Sequence, residues 1–164
     1  SKDRLIPDCI KSWSNKKKVI LRNPFSTRPW QHVLEVLSGY LFLAYKLKKD
    51  NNLHGEAFNF GPRENVSRTV IQLVKEMSIY WKNVQWDIKP NKKLIESKLL
   101  KLNCKKSKKI LGWESNLNFQ QTIRFTAEWY KNYYKDKVNA EKISKMQIME
   151  FTKLARANSL NWAK

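Results

Sequence analysis

Arginine is the side chain best shaped to hold phosphate, because its planar guanidinium presents paired donors to two phosphate oxygens at once. The stretch "RNPFSTRPWQHV", residues 22–33, places Arg22 and Arg28 six residues apart. The turn formers Asn23, Pro24 and Ser26 lie between them, so the two arginines flank a tight loop. Two readings fit this spacing. The pair is a fork of donors for phosphate, or it is two solvated surface arginines. His32 follows in the same stretch, either as a donor toward a ligand or as a satisfied histidine of the core.

The other chemistry-bearing residue types point to no metal or thiol centre. Cys9 and Cys104 are far apart in the chain, and there are only two histidines. Neither a zinc knuckle nor a Cys-x-x-Cys pair can be assembled from them. Reduced thiols in a cytoplasmic protein are the expectation.

The elements that must position the arginines follow from periodicity. "RLIPDCIKSW", residues 4–13, predicts a short helix with Pro7 in its first turn, where a missing N–H costs little. A brief β-prone run follows at 18–21, then the arginine loop, then "WQHV" in extended form. Apolar residues from Leu34 to Leu47 recur at three- and four-residue steps and predict a long helix, covered on more than one side. "GEAFNFGP", 55–62, reads as a strand closed by a Gly-Pro turn. Ser67 is placed to cap a helix carrying Val70, Ile71, Val74, Met77, Ile79, Tyr80 and Trp81. Residues 84–88 alternate as a half-buried strand, and 95–103 form a further extended segment. "KKSKKILGW" predicts a short helix stopped at Gly112. Asn118 and Gln121 make a capping box for the helix "FQQTIRFTAEWYKNYY". The tail after Lys137 holds one more amphipathic stretch, with Ile143, Met146, Met149 and Leu154 inward.

Composition bounds the rest. The 164 residues suit one folded α/β domain, with 41% hydrophobic content and 12% aromatic. The longest apolar run, "GYLFLAY", falls well short of the roughly 18 residues that a membrane span needs, so no membrane is expected. The net charge of +19 invites a nucleic-acid reading. Only seven of the 33 basic residues are arginine, however, and 15 asparagines accompany the lysines. Lysines in short scattered clusters describe solvated faces that bind polyanions weakly and lose them in salt. No RNP-like strand, helix-turn-helix or zinc knuckle accompanies the charge, so no specific nucleic-acid partner is expected. A basic nucleic-acid-binding module is the competing reading.

Five stretches carry a resemblance: "DRLIPDCIKSW", "VILRNPFSTRPWQHVLEVLSGYLFLA", "AFNFGP", "KLNCKKSKKILGWE" and "TAEWYKNYY". In this order, from about residue 2 to residue 137, they resemble the C-terminal half of the extended short-chain dehydrogenase/reductases. These are the NAD-dependent nucleotide-sugar epimerases and dehydratases. "RPWQHVLE" followed by "LSGYL" is similar to the branch that dehydrates CDP-glucose; a dehydratase or epimerase acting on another nucleotide-glucose is the alternative within the family. The resemblance implies a Rossmann-type α/β fold whose N-terminal, NAD-binding half is absent from this chain. Residues 1–137 would then be the nucleotide-sugar-binding portion and 138–164 a helical C-terminal tail. Ser1 is read as an internal position of a longer protein.

The reaction implied is removal of water from CDP-glucose to give the 4-keto-6-deoxy sugar nucleotide, a step in deoxysugar synthesis. A hydride passes from C4 to NAD, water leaves across C5–C6, and the hydride returns to C6. Arg28, before the aromatic Trp30, is implied as the pyrophosphate ligand. Arg4, ahead of "LIP", would stand beside the nucleotide at a helix start, and Leu5 would cover base or ribose. Ile20 and Arg22 would line the pyrimidine side, and His32 is a further ligand-side candidate. Glu96 would accept from sugar hydroxyls or orient an arginine. Each has a plain structural alternative: a salt-bridged Arg28, a frayed Arg4, an edge strand with a solvent arginine, a core His32, an exposed Glu96.

The departures from the family pattern are equally specific. Glycines stand only at 39, 55, 61 and 112, so no Gly-rich dinucleotide fingerprint can form. Tyr40 precedes Lys46 at the wrong spacing for a catalytic Tyr-x-x-x-Lys pair, which is expected to be absent along with its Ser or Thr. Asn103 stands where an aspartate is usual. The chain alone is therefore expected to be catalytically inactive and to bind no NAD. The whole enzyme is expected to be a homo-oligomer paired through its NAD-binding half.

Overall fold

The computed structural model describes residues 4–62, 68–81, 84–90 and 100–164. Helix α1, Leu5–Ser14, presents Cys9, Ile10 and Trp13 on one buried face, with Pro7 in its first turn as expected. The chain reverses through Lys16, at φ 55°, and enters strand β1, Val19–Leu21. Val19 and Leu21 point into the core while Ile20 points out, the alternation that a strand imposes.

A two-residue strand β2, Thr27–Arg28, follows the arginine loop, and then helix α2, Val33–Leu47. Strand β3, Arg68–Thr69, leads directly into helix α3, Val70–Tyr80. Ser67 lies outside the described residues; the cap is Thr69, whose hydroxyl accepts from the Gln72 N–H in a reciprocal capping box. Strand β4, Trp86–Ile88, runs parallel to β1 with Val19 beside Trp86, while β2 and β3 pair antiparallel. Helix α4, Phe119–Tyr134, starts at the predicted Asn118–Gln121 capping box, and helix α5, Ala140–Ala157, starts at Asn139. The fold class is α/β, as expected.

Three apolar clusters hold these elements. The largest joins α1, β1, α3 and α4 through Ile10, Trp13, Leu21, Leu73, Val74, Met77 and Ile123. The second gathers Leu53, Phe60, Leu111 and Trp113 against α2. The third joins Leu117, Phe125 and Phe151, so α5 packs against α4.

Four expectations change. Residues 55–62 are not a strand, because among the described residues no ladder forms along them; their alternating burial, Phe58 and Phe60 inward, is all that the sequence period reported. Of the segment 95–103, residues 95–99 lie outside the described residues, and 100–103 have no regular structure. Ile79 is exposed, on the outer side of α3. In α5 the inward stripe is Ile143, Gln147, Phe151 and Ala155 at four-residue steps, while Met146 and Met149 face solvent. Gln147 is inside because its amide donates to the Phe125 carbonyl at 2.5 Å, satisfying a polar group that hydrophobicity alone would place outside.

Candidate functional site

The arginine loop is a built structure. Asn23 and Ser26 close a tight turn, the Ser26 N–H donating to the Asn23 carbonyl, with Pro24 at the position that its fixed φ favours. The first turn of α3 braces it. The Val70 N–H donates to the Ser26 carbonyl at 3.0 Å and the Ile71 N–H to the Pro24 carbonyl at 2.9 Å. Amides that a helix start leaves without intrahelical partners are thus spent on fixing the loop. Beyond the turn, the β2–β3 ladder sets Arg28 directly opposite Arg68. Arg68 lies over the Phe119 ring, Arg28 Nη1 donates to the Thr27 carbonyl at 2.9 Å, and the Trp30 indole donates to the Arg68 carbonyl at 3.0 Å.

The entry to α2 is fixed from the other side. Glu35 is almost fully buried, and its carboxylate accepts from the Asn116 N–H at 3.0 and 2.9 Å and from the Leu117 N–H at 2.6 Å. Ser38 accepts from the Trp113 indole at 3.0 Å and donates to the Glu35 carbonyl. Gly39 leaves room for the Phe60 ring, which a Cβ there would meet at 2.4 Å. The polar and small residues of "QHVLEVLSG" therefore lock α2 to the segment before α4.

Between the start of α1, β1, the loop and Trp30 lies a cleft of about 270 Å³. Four residues singled out from the sequence line it together: Leu5, Ile20, Arg22 and Arg28. Arg4 adjoins them as the exposed N-cap of α1, making no side-chain cap bond itself. Glu96 lies outside the described residues. Asp8, Asn23 and Trp30 also line the cleft and were not foreseen as site residues. Asp8 complements the positive end of the α1 dipole. Asn23 carried a usable signal, its place beside Arg22, but Asn before Pro reads first as a turn residue.

His32 is elsewhere. It is buried, its Nδ1 accepts from the Leu34 N–H at 3.3 Å as the cap of α2, and its ring meets Phe125 edge-on at 5.6 Å. It faces a separate, mainly apolar hollow of about 530 Å³ among α1, α2, α4 and α5. Burial pushes its pKa down to about 4, so it is neutral and cannot serve as a cation for phosphate.

The expected absence of a Tyr-x-x-x-Lys spacing also needs correction. Tyr45 and Lys49 stand four apart at the end of α2, and the Lys49 ammonium donates to the Tyr45 hydroxyl at 2.5 Å. That bond and the nearby charge lower the tyrosine's pKa. The pair is solvent-exposed, and Tyr45 does not line the arginine cleft. It has the spacing of a catalytic pair without the setting. Among the described residues no group of three His, Cys, Asp or Glu is placed to hold a metal. The Cys9 thiol is pushed up to about 12, chiefly by burial, and is unreactive.

No family model matches the chain. Over 132 residues it is 40% identical to CDP-glucose 4,6-dehydratase from Salmonella typhimurium, a stretch covering 80% of this chain and 37% of that enzyme. Along four fifths of its length the chain is thus homologous to a nucleotide-sugar dehydratase. Solved structures of epimerases and of a dehydratase carry the same fold. A UDP-glucose 4-epimerase from Stenotrophomonas maltophila, with bound NAD and formylated UDP-arabinopyranose, matches with a TM-score of 0.68 at 17% identity, over 82% of this chain and 41% of its own. An epimerase from Methanothermobacter thermautotrophicus matches with a TM-score of 0.69 at 19% identity, over 88% and 40%. A dTDP-glucose 4,6-dehydratase from Bacillus anthracis, in complex with NAD, matches with a TM-score of 0.59 at 22% identity, over 79% and 40%. The chain spans about two fifths of the proteins it matches.

Proposed function

We propose that this chain is the part of a CDP-glucose 4,6-dehydratase that grips the nucleotide diphosphate, the whole cytoplasmic enzyme converting CDP-glucose to CDP-4-dehydro-6-deoxyglucose. One observation carries the reading. Leu5, Ile20, Arg22 and Arg28, chosen for their types and their place in a family pattern, line a single cleft. Arg28 takes the phosphate oxygens, a charge-assisted contact of about 1.5–3 kcal/mol. Arg22 stands nearer the base, and Arg4 adds charge at the start of α1. Leu5, Ile20 and the half-buried Trp30 offer apolar surface to the pyrimidine and ribose.

His32 leaves the proposed site, since its Nδ1 is committed to the α2 cap. Glu96, outside the described residues, keeps its proposed role of accepting from sugar hydroxyls or orienting an arginine. NAD would supply the hydride acceptor in the whole enzyme, but the residues present do not fit it. A dinucleotide's phosphates need a glycine-lined turn from strand to helix. Gly39 lies within α2 and Gly112 ends a short helix, while Gly55 and Gly61 flank no βα turn. No hydride step is assigned to residues of this chain.

Calorimetric titration with CDP and with a random DNA duplex, at low salt and at about 0.2 M salt, tests the reading. CDP should bind saturably at both, while DNA binding collapses at the higher salt. Sub-micromolar binding to a defined oligonucleotide that survives about 0.2 M salt, with no saturable CDP binding, would favour a nucleic-acid module instead.

A further inference from the structure

The arginine loop contains a donor that the fold does not use. Asn23 lines the cleft beside Arg22 and Arg28. Its side-chain Nδ2 is buried and has no hydrogen-bond partner among the described residues. A buried amide that gives up water without gaining an acceptor destabilises the folded state, and folded proteins rarely leave one in that condition. The usual remedies are closed off here. The Asn23 carbonyl, not its side chain, makes the turn to Ser26. The α3 amides behind the loop are committed to the Pro24 and Ser26 carbonyls, so the loop is held against collapsing onto the amide.

We infer that Asn23 is a third donor to the diphosphate, its Nδ2 completing its hydrogen bonding on a phosphate oxygen when nucleotide enters. The inference rests on the proposed function of the same cleft and adds a residue to it. The chemistry favours phosphate over the base. The α3 amides are spent, so donors for an anion in this cleft must come from side chains, and Asn23 sits next to one guanidinium and in the same cleft as another. A neutral donor also adds hydrogen bonding without raising the repulsion between the two cations that line the cleft. Asp8 on the cleft wall makes the demand for donors stronger, because its charge opposes a diphosphate.

The test uses the full chain, with CDP, inorganic pyrophosphate and cytidine as separate probes. Asn23→Asp is nearly isosteric and keeps a good first residue for the turn, but it replaces the donor with an acceptor and adds a negative charge. CDP and pyrophosphate should both bind at least about tenfold more weakly, with the melting temperature held or raised and cytidine binding unmoved. Asn23→Ser, which retains a shorter donor, should lie between wild type and the Asp variant. Unchanged pyrophosphate affinity in Asn23→Asp overturns the inference, and so does a loss confined to CDP and cytidine, which would put the donor on the nucleoside. Arg28→Lys, run beside it, separates the two claims. If Arg28→Lys weakens CDP and Asn23→Asp does not, only the role of Asn23 falls. If neither matters, the phosphate reading of the cleft falls with it.

Discussion

Two buried residues of the "HVLE" stretch make the sharpest predictions at the residue scale. His32 is held near a pKa of about 4 by burial, below the ordinary 6.5 that it regains on unfolding. Below pH 6.5 the unfolded chain takes up a proton that the folded one refuses, so stability falls as pH drops toward 4. The total loss is about 3 kcal/mol from this group alone. His32→Asn keeps a side chain able to cap α2. It should flatten urea-melt stability between pH 6.5 and 4 relative to wild type; an identical slope in both would mean that His32 is not buried as described. Glu35→Gln sets an amide where a carboxylate now accepts from Asn116 and Leu117, and should cost about 1.5–3 kcal/mol in denaturant unfolding. That Arg22 and Arg28 share one cleft was legible in the turn formers between them. The core alternative for His32 was legible too; Glu35 was not, because a carboxylate receiving backbone N–H groups looks in sequence like a surface charge.

At the scale of elements, legibility followed local chemistry. The capping box of α4, the proline of α1 and the left-handed Gly112 are set by neighbours within a turn, and each appears where expected. Residues 56–60 have a strand's alternation without a ladder, since pairing depends on a partner that periodicity does not contain. The α5 stripe shifted for a related reason. Methionines rank as apolar, yet four-residue spacing and the Gln147–Phe125 hydrogen bond decide which face turns inward. Gly39 supplies the test of element packing. Alanine there gains helix propensity of up to about 1 kcal/mol. Its Cβ nonetheless meets the buried Phe60 ring at 2.4 Å, so a net destabilisation of about 1–3 kcal/mol is expected in thermal melts. A stabilised Gly39→Ala would show that α2 and Phe60 are not packed as described.

For the whole molecule, the net charge of +19 makes weak polyanion binding unavoidable at low ionic strength, and only salt separates it from recognition. The fold class was legible because apolar periodicity and family pattern agreed. The cleft was legible only in part: its arginines stand out, while Asp8, Asn23 and Trp30 join it through tertiary packing of α1 against the loop. The central claim is that this loop holds phosphate, and Arg28→Lys tests it most directly. An ammonium keeps the charge but lacks the planar fork. Calorimetry at about 0.2 M salt should show CDP binding weakened roughly tenfold to a hundredfold, with the melting temperature unchanged. CDP affinity equal to that of the wild type in Arg28→Lys, at the same melting temperature, would contradict the account.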